Sequence, residues 1–329
     1  MKVIAIANGG FAIPTLRLLK ESEHTLSAVF VMPVRTKRSG EKAGIPPVRA
    51  AIDGFLSGTP WYEPENINSQ ESIALLKSLN ADVIFICDYG KILSNEAIST
   101  TKYGGINLHG SLLPKYRGAA PINRAIQAGE RELGVSVIFI EPKVDAGPIV
   151  ATDSYFPSLE ETAVEIEAKL AQLGAPIVLQ TLSRIEEGKV VALPQPSNEA
   201  SRAPKLRKEE GRVDWTKSSM SIIDQYRAFQ PWPRVFSDWV KNGATNSPTR
   251  IILGPFSEVD EEGNLLETLE SEREAFSCGT IVKKTKTSFW VKTGDGALCV
   301  KSVQPAGKKN MSAEVFLRGY QLQVGDKLI

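Results

Sequence analysis

The sequence predicts an α/β protein: a doubly wound, mostly parallel sheet first, then a smaller β-barrel. Three observations carry this. Short apolar runs alternate with helical periodicity through the first part of the chain. One run, Asp82 to Cys87, is continuously apolar after its first residue, as a strand buried on both faces is. Beyond a proline-rich, polar stretch at Leu193 to Pro204, the pattern changes to short strands separated by glycine turns.

At 329 residues the chain is long enough for two domains. The expected division is residues 1–190 as a catalytic domain, 191–204 as a linker and 205–329 as a second domain. The composition, 42% hydrophobic and 23% charged, is that of a globular enzyme. A formal net charge of +1 announces no nucleic-acid binder globally, so charge is read locally. Cys87, Cys278 and Cys299 lie far apart and form no CxxC, which fits a reducing, cytoplasmic setting. Two histidines and scattered cysteines disfavour a transition-metal site. The N-terminal apolar run is too short for a signal peptide, and no long apolar run follows.

Val3 to Ala7 reads as a buried strand ending in the turn Asn8-Gly9-Gly10. A helix follows, with Pro14 near its start and Leu16 and Leu19 inside it. The turn lacks G-x-G-x-x-G, so a nicotinamide cofactor is disfavoured. Leu26 to Met32 is the second strand. The loop after it carries Arg35, Lys37, Arg38 and Lys42, either a solvated surface or an arm that touches phosphates. Ser69 to Leu79 is a helix with Ile73, Leu76 and Leu79 on one face. The Asp82 to Cys87 strand runs into Asp88-Tyr89-Gly90 at the edge where Asn107 also lies. Ile106 to Leu108 continues the sheet, and Pro121 to Ala128 is a short helix with proline in its first turn. Gly134 to Ile140 is another strand, whose loop carries Asp145, and Ser158 to Glu187 is mostly helical.

In the second domain, Arg250 to Leu253, Cys278 to Lys283, Ser288 to Thr293 and Ala297 to Val303 read as strands. Ala203 to Ser257 holds nine Lys+Arg against five Asp+Glu, and Ala275 to Ile329 nine against three. The acidic stretch Glu258 to Glu274 offsets most of this excess. A basic barrel face remains as a candidate phosphate-binding surface, beside the plainer reading of a mixed-charge exterior. Trp215, Trp232 and Trp239 fit either base stacking or core packing.

The chemistry concentrates in Ile106 to Gly118, I-N-L-H-G-S-L-L-P-K-Y-R-G. Asn107 and His109 are two residues apart, so on a strand both point to one face. Gly110 lets the chain break out of the strand. An amide beside an imidazole can hydrogen-bond an oxygen that gains charge as a carbonyl is attacked. Asp145 is placed to orient the imidazole and favour its protonated form. The plainer reading is a satisfied core histidine and a turn-capping asparagine.

Asn107 to Asn123 resembles the signature of the folate-dependent formyltransferases, whose Asn–His–Asp trio is matched by Asn107, His109 and Asp145. In the second domain, Lys205 to Trp215, Arg227 to Pro233 and Gln304 to Met311 resemble the branch of that family that formylates methionyl-tRNA. The resemblance spans nearly the whole chain. It implies a formyltransferase-type sheet domain and a C-terminal barrel of the oligonucleotide/oligosaccharide-binding type. It implies 10-formyltetrahydrofolate as co-substrate, no metal, and the amine of methionyl initiator tRNA as acceptor in translation initiation; an amino-sugar nucleotide is the alternative acceptor. It assigns folate contacts to Ser111, Leu112, Leu113, Pro114, Asp88, Tyr89 and Gly90, and tRNA contacts to the Arg35–Lys42 loop and to Lys308 and Lys309. A monomer is expected. The chain departs from the family's usual pattern in four places: Asn8-Gly9-Gly10 for Gly-Thr-Pro, Pro33-Val34-Arg35 for Pro-Asp-Arg, Asp88 for an alanine, and Ala146-Gly147-Pro148 for Thr-Gly-Asp.

Overall fold

A computed structural model describes residues 1–34, 44–242, 248–259 and 276–329. The chain divides into two compact units: residues 1–125, 131–158 and 165–205 form the first, and 126–130, 159–164 and 206–329 the second. The expected loop residues Arg35, Lys37, Arg38 and Lys42 lie outside the described residues. Among the described residues, no helix is long and apolar enough to cross a membrane.

The first unit is built on a seven-stranded sheet. Its strands are β1 (Lys2–Ala7), β2 (Thr25–Phe30), β3 (Trp61–Tyr62), β4 (Val83–Cys87), β5 (Gly105–His109), β7 (Leu133–Phe139) and β8 (Ile149–Tyr155), in the spatial order β3-β2-β1-β4-β5-β7-β8. A short pair, β6 (Arg117–Gly118) with β9 (Arg202–Ala203), is parallel and separate. From β3 to β5 every pairing is parallel; β5–β7 and β7–β8 are antiparallel. All five residues of β4 are buried, because helices cover both faces of a central parallel strand. The helices of this unit are α1 (Ile13–Glu21), α2 (Pro47–Ile52), α3 (Gln70–Ser78), α4 (Asn95–Ile98), α5 (Pro121–Gln127, shared with the second unit) and α6 (Ala163–Glu186). Ser69 caps α3, its hydroxyl accepting from Ser72 N. One face of the sheet packs Ile4, Ile6, Phe30, Ile84 and Ile86 on Ile73 and Leu76 of α3. Full burial stabilises each by about 1.5–3 kcal/mol.

Most predicted strands recur within two residues of their expected ends, but β8 does not appear in the sequence reading. It is an edge strand with no fully buried residue, so its apolar signal is weak. The long helix starts at Ala163, five residues later than expected, since Ser158 to Thr162 leads into it without helical backbone.

The second unit contains α7 (Ser219–Ala228), β10 (Phe236–Val240), β11 (Thr249–Leu253), β12 (Phe256–Ser257), β13 (Ile281–Lys284), β14 (Phe289–Lys292), β15 (Ala297–Val300), β16 (Ser302–Pro305), β17 (Met311–Ser312), α8 (Ala313–Gly319) and β18 (Lys327–Leu328). Its strands form two antiparallel sheets, β17-β16-β11-β10-β18 and β12-β15-β14-β13, joined by a bridge between Thr280 and Lys327. Trp290, Phe289 and Phe316 are fully buried in this unit. Trp215 and Trp239 are core residues whose indole N–H groups donate to Ser237 Oγ and Asp326 Oδ2 at 3.1 and 3.0 Å. Trp232 is exposed.

Candidate active site

The parallel strands β4 and β5 end side by side, Ile86 opposite Asn107. Ligands in open α/β sheets sit beyond such carboxyl ends. Here a cavity of about 530 Å³ opens, lined by the loop after β4, the end of β5, the start of α5 and the β7–β8 loop. Asn107, His109 and Asp145 all line it.

The two-residue spacing places the Asn107 and His109 side chains on one face of β5. Asp145 reaches them from the β7–β8 loop with a left-handed backbone, φ +49°. Such a conformation is strained for a non-glycine residue and persists only where neighbours hold it. They do. Asp145 Oδ2 accepts the Gly118 N–H at 2.9 Å, Oδ1 accepts Asn107 Nδ2 at 3.4 Å, and the main-chain oxygen accepts Gln195 Nε2 at 2.9 Å. Gln195 Nε2 also donates to Gly147 O at 2.7 Å, while Arg117 Nε and Nη2 donate to Gln195 Oε1 at 2.9 and 2.7 Å. Gly147 is required, since a Cβ there would lie 1.8 Å from Phe139 O.

His109 is buried, and its ring is fixed by a hydrogen bond at one nitrogen. Nε2 stands 3.0 Å from Tyr116 O. A carbonyl only accepts, so Nε2 carries a proton. Nδ1 is then the nitrogen that faces Asp145 Oδ2, at 3.6 Å. Asn107 keeps amide hydrogen-bonding capacity for the cavity beyond its single bond to Asp145. The arrangement offers two nitrogen groups beside one cavity and a carboxylate that bridges them, which suits stabilisation of a carbonyl oxygen under attack.

Asp88, Tyr89 and Gly90 line the same cavity. Asp88 is exposed to the open space of the cavity, with protein on its other sides. Burial holds its carboxyl above the usual range, against the Phe11 N–H and the charge of His109, which act to lower it. Glu167, on α6, is another carboxyl on this wall, raised by burial and then by Asp88. The Cys87 thiol, fully buried, is pushed up by burial and by both carboxylates. The Tyr89 hydroxyl is buried with no hydrogen-bond partner among the described residues.

Ser111, Leu112, Leu113 and Pro114 do not line this cavity. Ser111 Oγ donates to Lys115 O at 2.7 Å, Ser136 Oγ bridges Ser111 O and Leu113 N, and Leu112 lies over Gly134. Within the unit this turn buttresses the end of β5. Lys308 and Lys309 are exposed on the turn between β16 and β17, held by Gln304 Nε2 donating to Lys308 O. The sequence reading missed Gly118, the Tyr116 carbonyl, Gln195 and Glu167. The first two act through main-chain atoms, which no residue type reveals. Gln195 lies in the stretch read as linker, and Glu167 sits on a helix far from the motif.

Residues 1–182 match the Formyl transferase family, and residues 205–321 match the Formyl transferase C-terminal domain. A methionyl-tRNA formyltransferase of Rhodopirellula baltica is 35% identical over 342 aligned residues, covering 100% of this chain and 97% of that protein. One from Moorella thermoacetica is 33% identical, covering 100% and 99%. Among solved structures, an N-formyltransferase from Helicobacter canadensis in complex with folinic acid and dTDP-3-aminofucose superposes with a TM-score of 0.63 at 17% identity, covering 93% of this chain and 99% of that one. This last likeness carries the fold alone.

Proposed function

The chain belongs to the methionyl-tRNA formyltransferase family, and we propose that the cavity beyond β4 and β5 is where its formyl transfer takes place. The enzyme moves a formyl group from 10-formyltetrahydrofolate to the free amine of methionyl initiator tRNA, supporting translation initiation. The full-length similarity to methionyl-tRNA formyltransferases carries this reading.

The cavity suits the folate head. Its volume lies within the range of small-molecule pockets, and Phe11, Ile86, Leu93, Ile138 and Ile140 give it apolar walls for a flat heterocycle. Tyr89, with its orphaned hydroxyl, and Gly90 belong to the segment assigned to that head, together with the Asp88 backbone. Ser111, Leu112, Leu113 and Pro114 serve the donor by holding the end of β5 in place. The donor supplies an activated formyl carbon. Asn107 Nδ2 has an N–H to offer the formyl oxygen as it becomes an oxyanion, and His109 joins it by turning its Nε2–H from Tyr116 O to that oxygen. Asp145 holds both groups and keeps the His109 ring in one orientation. Holding the two substrates together contributes several kcal/mol more, on the order of a modest fraction of the proximity limit.

We assign residues 1–190 to the catalytic domain, 191–204 to a linker whose Gln195 reaches the catalytic loop, and 205–329 to tRNA binding. Arg35, Lys37, Arg38, Lys42, Lys308 and Lys309 are the proposed phosphate contacts. We propose that the reaction runs in the cytoplasm, where charged initiator tRNA is found, and that the working form is a monomer.

The test is a formylation assay with 10-formyltetrahydrofolate and three acceptors: methionyl initiator tRNA, methionyl elongator tRNA and a 4-amino-sugar nucleotide. Rapid formylation of the initiator alone is expected. Formylation of the sugar alone would overturn the acceptor assignment while leaving the chemistry of the trio in place.

A further inference from the structure

The second unit carries one large aromatic side chain that its core does not use. Trp215, Trp239 and Trp290 are buried, whereas Trp232 is 52% exposed. Its indole has no ring contact and no hydrogen bond among the described residues. A single exposed apolar residue needs no explanation by itself. The turn that presents this one is a built feature.

Pro231 and Pro233 flank Trp232, and each ring locks its own φ, so the backbone on either side of the indole is stiff. Arg234 follows with a left-handed backbone, φ +66°, which a non-glycine residue keeps only where neighbours hold it. Three contacts do so. The Arg234 N–H donates to Phe229 O at 2.8 Å. The Arg234 carbonyl packs on Gly211, where a Cβ would lie 2.2 Å away. Arg234 Nη1 donates to Gln304 Oε1 at 2.5 Å. The same Gln304 amide donates from Nε2 to Lys308 O at 2.9 Å. One side chain thus ties the Trp232 turn to the turn between β16 and β17. Lys308 and Lys309 are exposed there, and neither ammonium has a carboxylate or hydrogen-bond partner among the described residues.

We propose that Trp232 is a stacking platform for an unpaired base of the tRNA, with Lys308 and Lys309 taking the backbone phosphates beside it. This rests on the tRNA reading given above and adds to it a residue that meets a base rather than a phosphate. Every base has a π-face, so the platform carries little sequence preference. Lysines alone hold RNA by charge at any point along its backbone. An indole held on a stiff turn beside them selects a stretch whose bases are free to splay out, since bases inside a helix have both faces covered. A duplex would use the lysines alone and an uncharged apolar peptide the indole alone. An unpaired RNA segment uses both.

The test uses the full chain and its Trp232→Ala, Trp232→Leu and Trp232→Phe variants. Because Trp232 is exposed, all of them should unfold near the midpoint of the unaltered protein. KM for methionyl initiator tRNA should rise about tenfold in Trp232→Ala and Trp232→Leu and stay within about threefold in Trp232→Phe, with kcat little changed throughout. The salt dependence of tRNA binding should keep its slope in Trp232→Ala and flatten when Lys308→Ala and Lys309→Ala are combined. Indole fluorescence of the unaltered protein should fall on binding a single-stranded oligoadenylate of about eight nucleotides, much less so in Trp232→Phe, and not with an RNA duplex of that length. An unchanged KM in Trp232→Ala overturns the proposal. A Trp232→Leu variant as good as Trp232→Phe also overturns it, and points to apolar docking instead. An unaltered enzyme that formylates no methionyl-tRNA sinks the underlying reading alone: quenching of Trp232 by the oligoadenylate would still uphold the platform, and no quenching would overturn it.

Discussion

Gln195 holds the Asp145 loop by its main chain: one side-chain nitrogen donates to Asp145 O at 2.9 Å and to Gly147 O at 2.7 Å. Arg117 fixes the other end of the amide. Since Asp145 sits at φ +49°, its position depends on such outside support. Gln195→Ala removes both hydrogen bonds to the loop, of about 1 kcal/mol each, and with them the two from Arg117. Turnover should fall by roughly tenfold, with folate affinity nearly unchanged. A single-turnover rate within twofold of the unaltered enzyme would show that the loop holds itself.

The His109 ring is locked by Nε2–H donation to Tyr116 O, with Nδ1 toward Asp145. His109→Ala should lower turnover by about a hundredfold or more, while folate binding measured by calorimetry stays within about threefold. Equal losses in binding and turnover would assign the ring to substrate binding instead.

That Asn107 and His109 share one face at a strand end was legible in the sequence, because a glycine break and a two-residue spacing leave few other placements for them. Their supports were not. The Tyr116 carbonyl and the Gly118 N–H are main-chain groups, and Gln195 lies in a proline-rich stretch whose composition reads as linker. The strand β4 was plain from its unbroken apolar run. Periodicity alone could not show that β7 runs antiparallel to β5, since direction leaves no mark on a single strand. In the second unit β10 went unread: Phe236 to Val240 carries Ser237 and Asp238, polar residues whose partners are distant in sequence.

Gly9 and Asp88 are matched in size. A Cβ at Gly9 would meet the Asp88 carboxyl at 2.2 Å, so Gly9→Ala must displace it or shift β1. A cost of about 1–3 kcal/mol is expected. Asp88→Ala in the same chain should recover most of it, because the conflict is with the side chain. Unfolding midpoints of the two single variants and the double variant measure the coupling; additive effects would show that Gly9 is needed for some other reason.

In the second unit, Arg227 and Asp224 form a buried pair at 2.7 Å, and Arg227 Nε donates to Glu161 O at 2.8 Å. Asp224→Ala strands a buried guanidinium and should destabilise the unit by about 3–5 kcal/mol. Asp224→Ala with Arg227→Met should be milder than Asp224→Ala alone, since no charge is left buried. Urea unfolding followed by tryptophan fluorescence distinguishes these outcomes.

Asp238 gives a pH dependence whose sign can be worked out. Partial burial acts to raise its carboxyl, but hydrogen bonds and charge from Arg212 and Arg250, at 2.7 and 3.2 Å, outweigh this and hold it below the ordinary range. The folded state therefore binds this proton less readily than the unfolded chain, where an aspartate titrates near about 3.9. The resulting stability is fully present above that value and is lost as pH falls through the lower folded value. Asp238→Asn should accordingly unfold at lower urea than the unaltered protein at pH 6, with the gap narrowing as pH falls below about 3.9. A gap that is constant from pH 6 to pH 3 would mean that the two arginines stabilise the neutral side chain equally, and that their stacking over Phe236, at 5.4 and 4.4 Å, rather than their charge, is what holds this corner of the sheet.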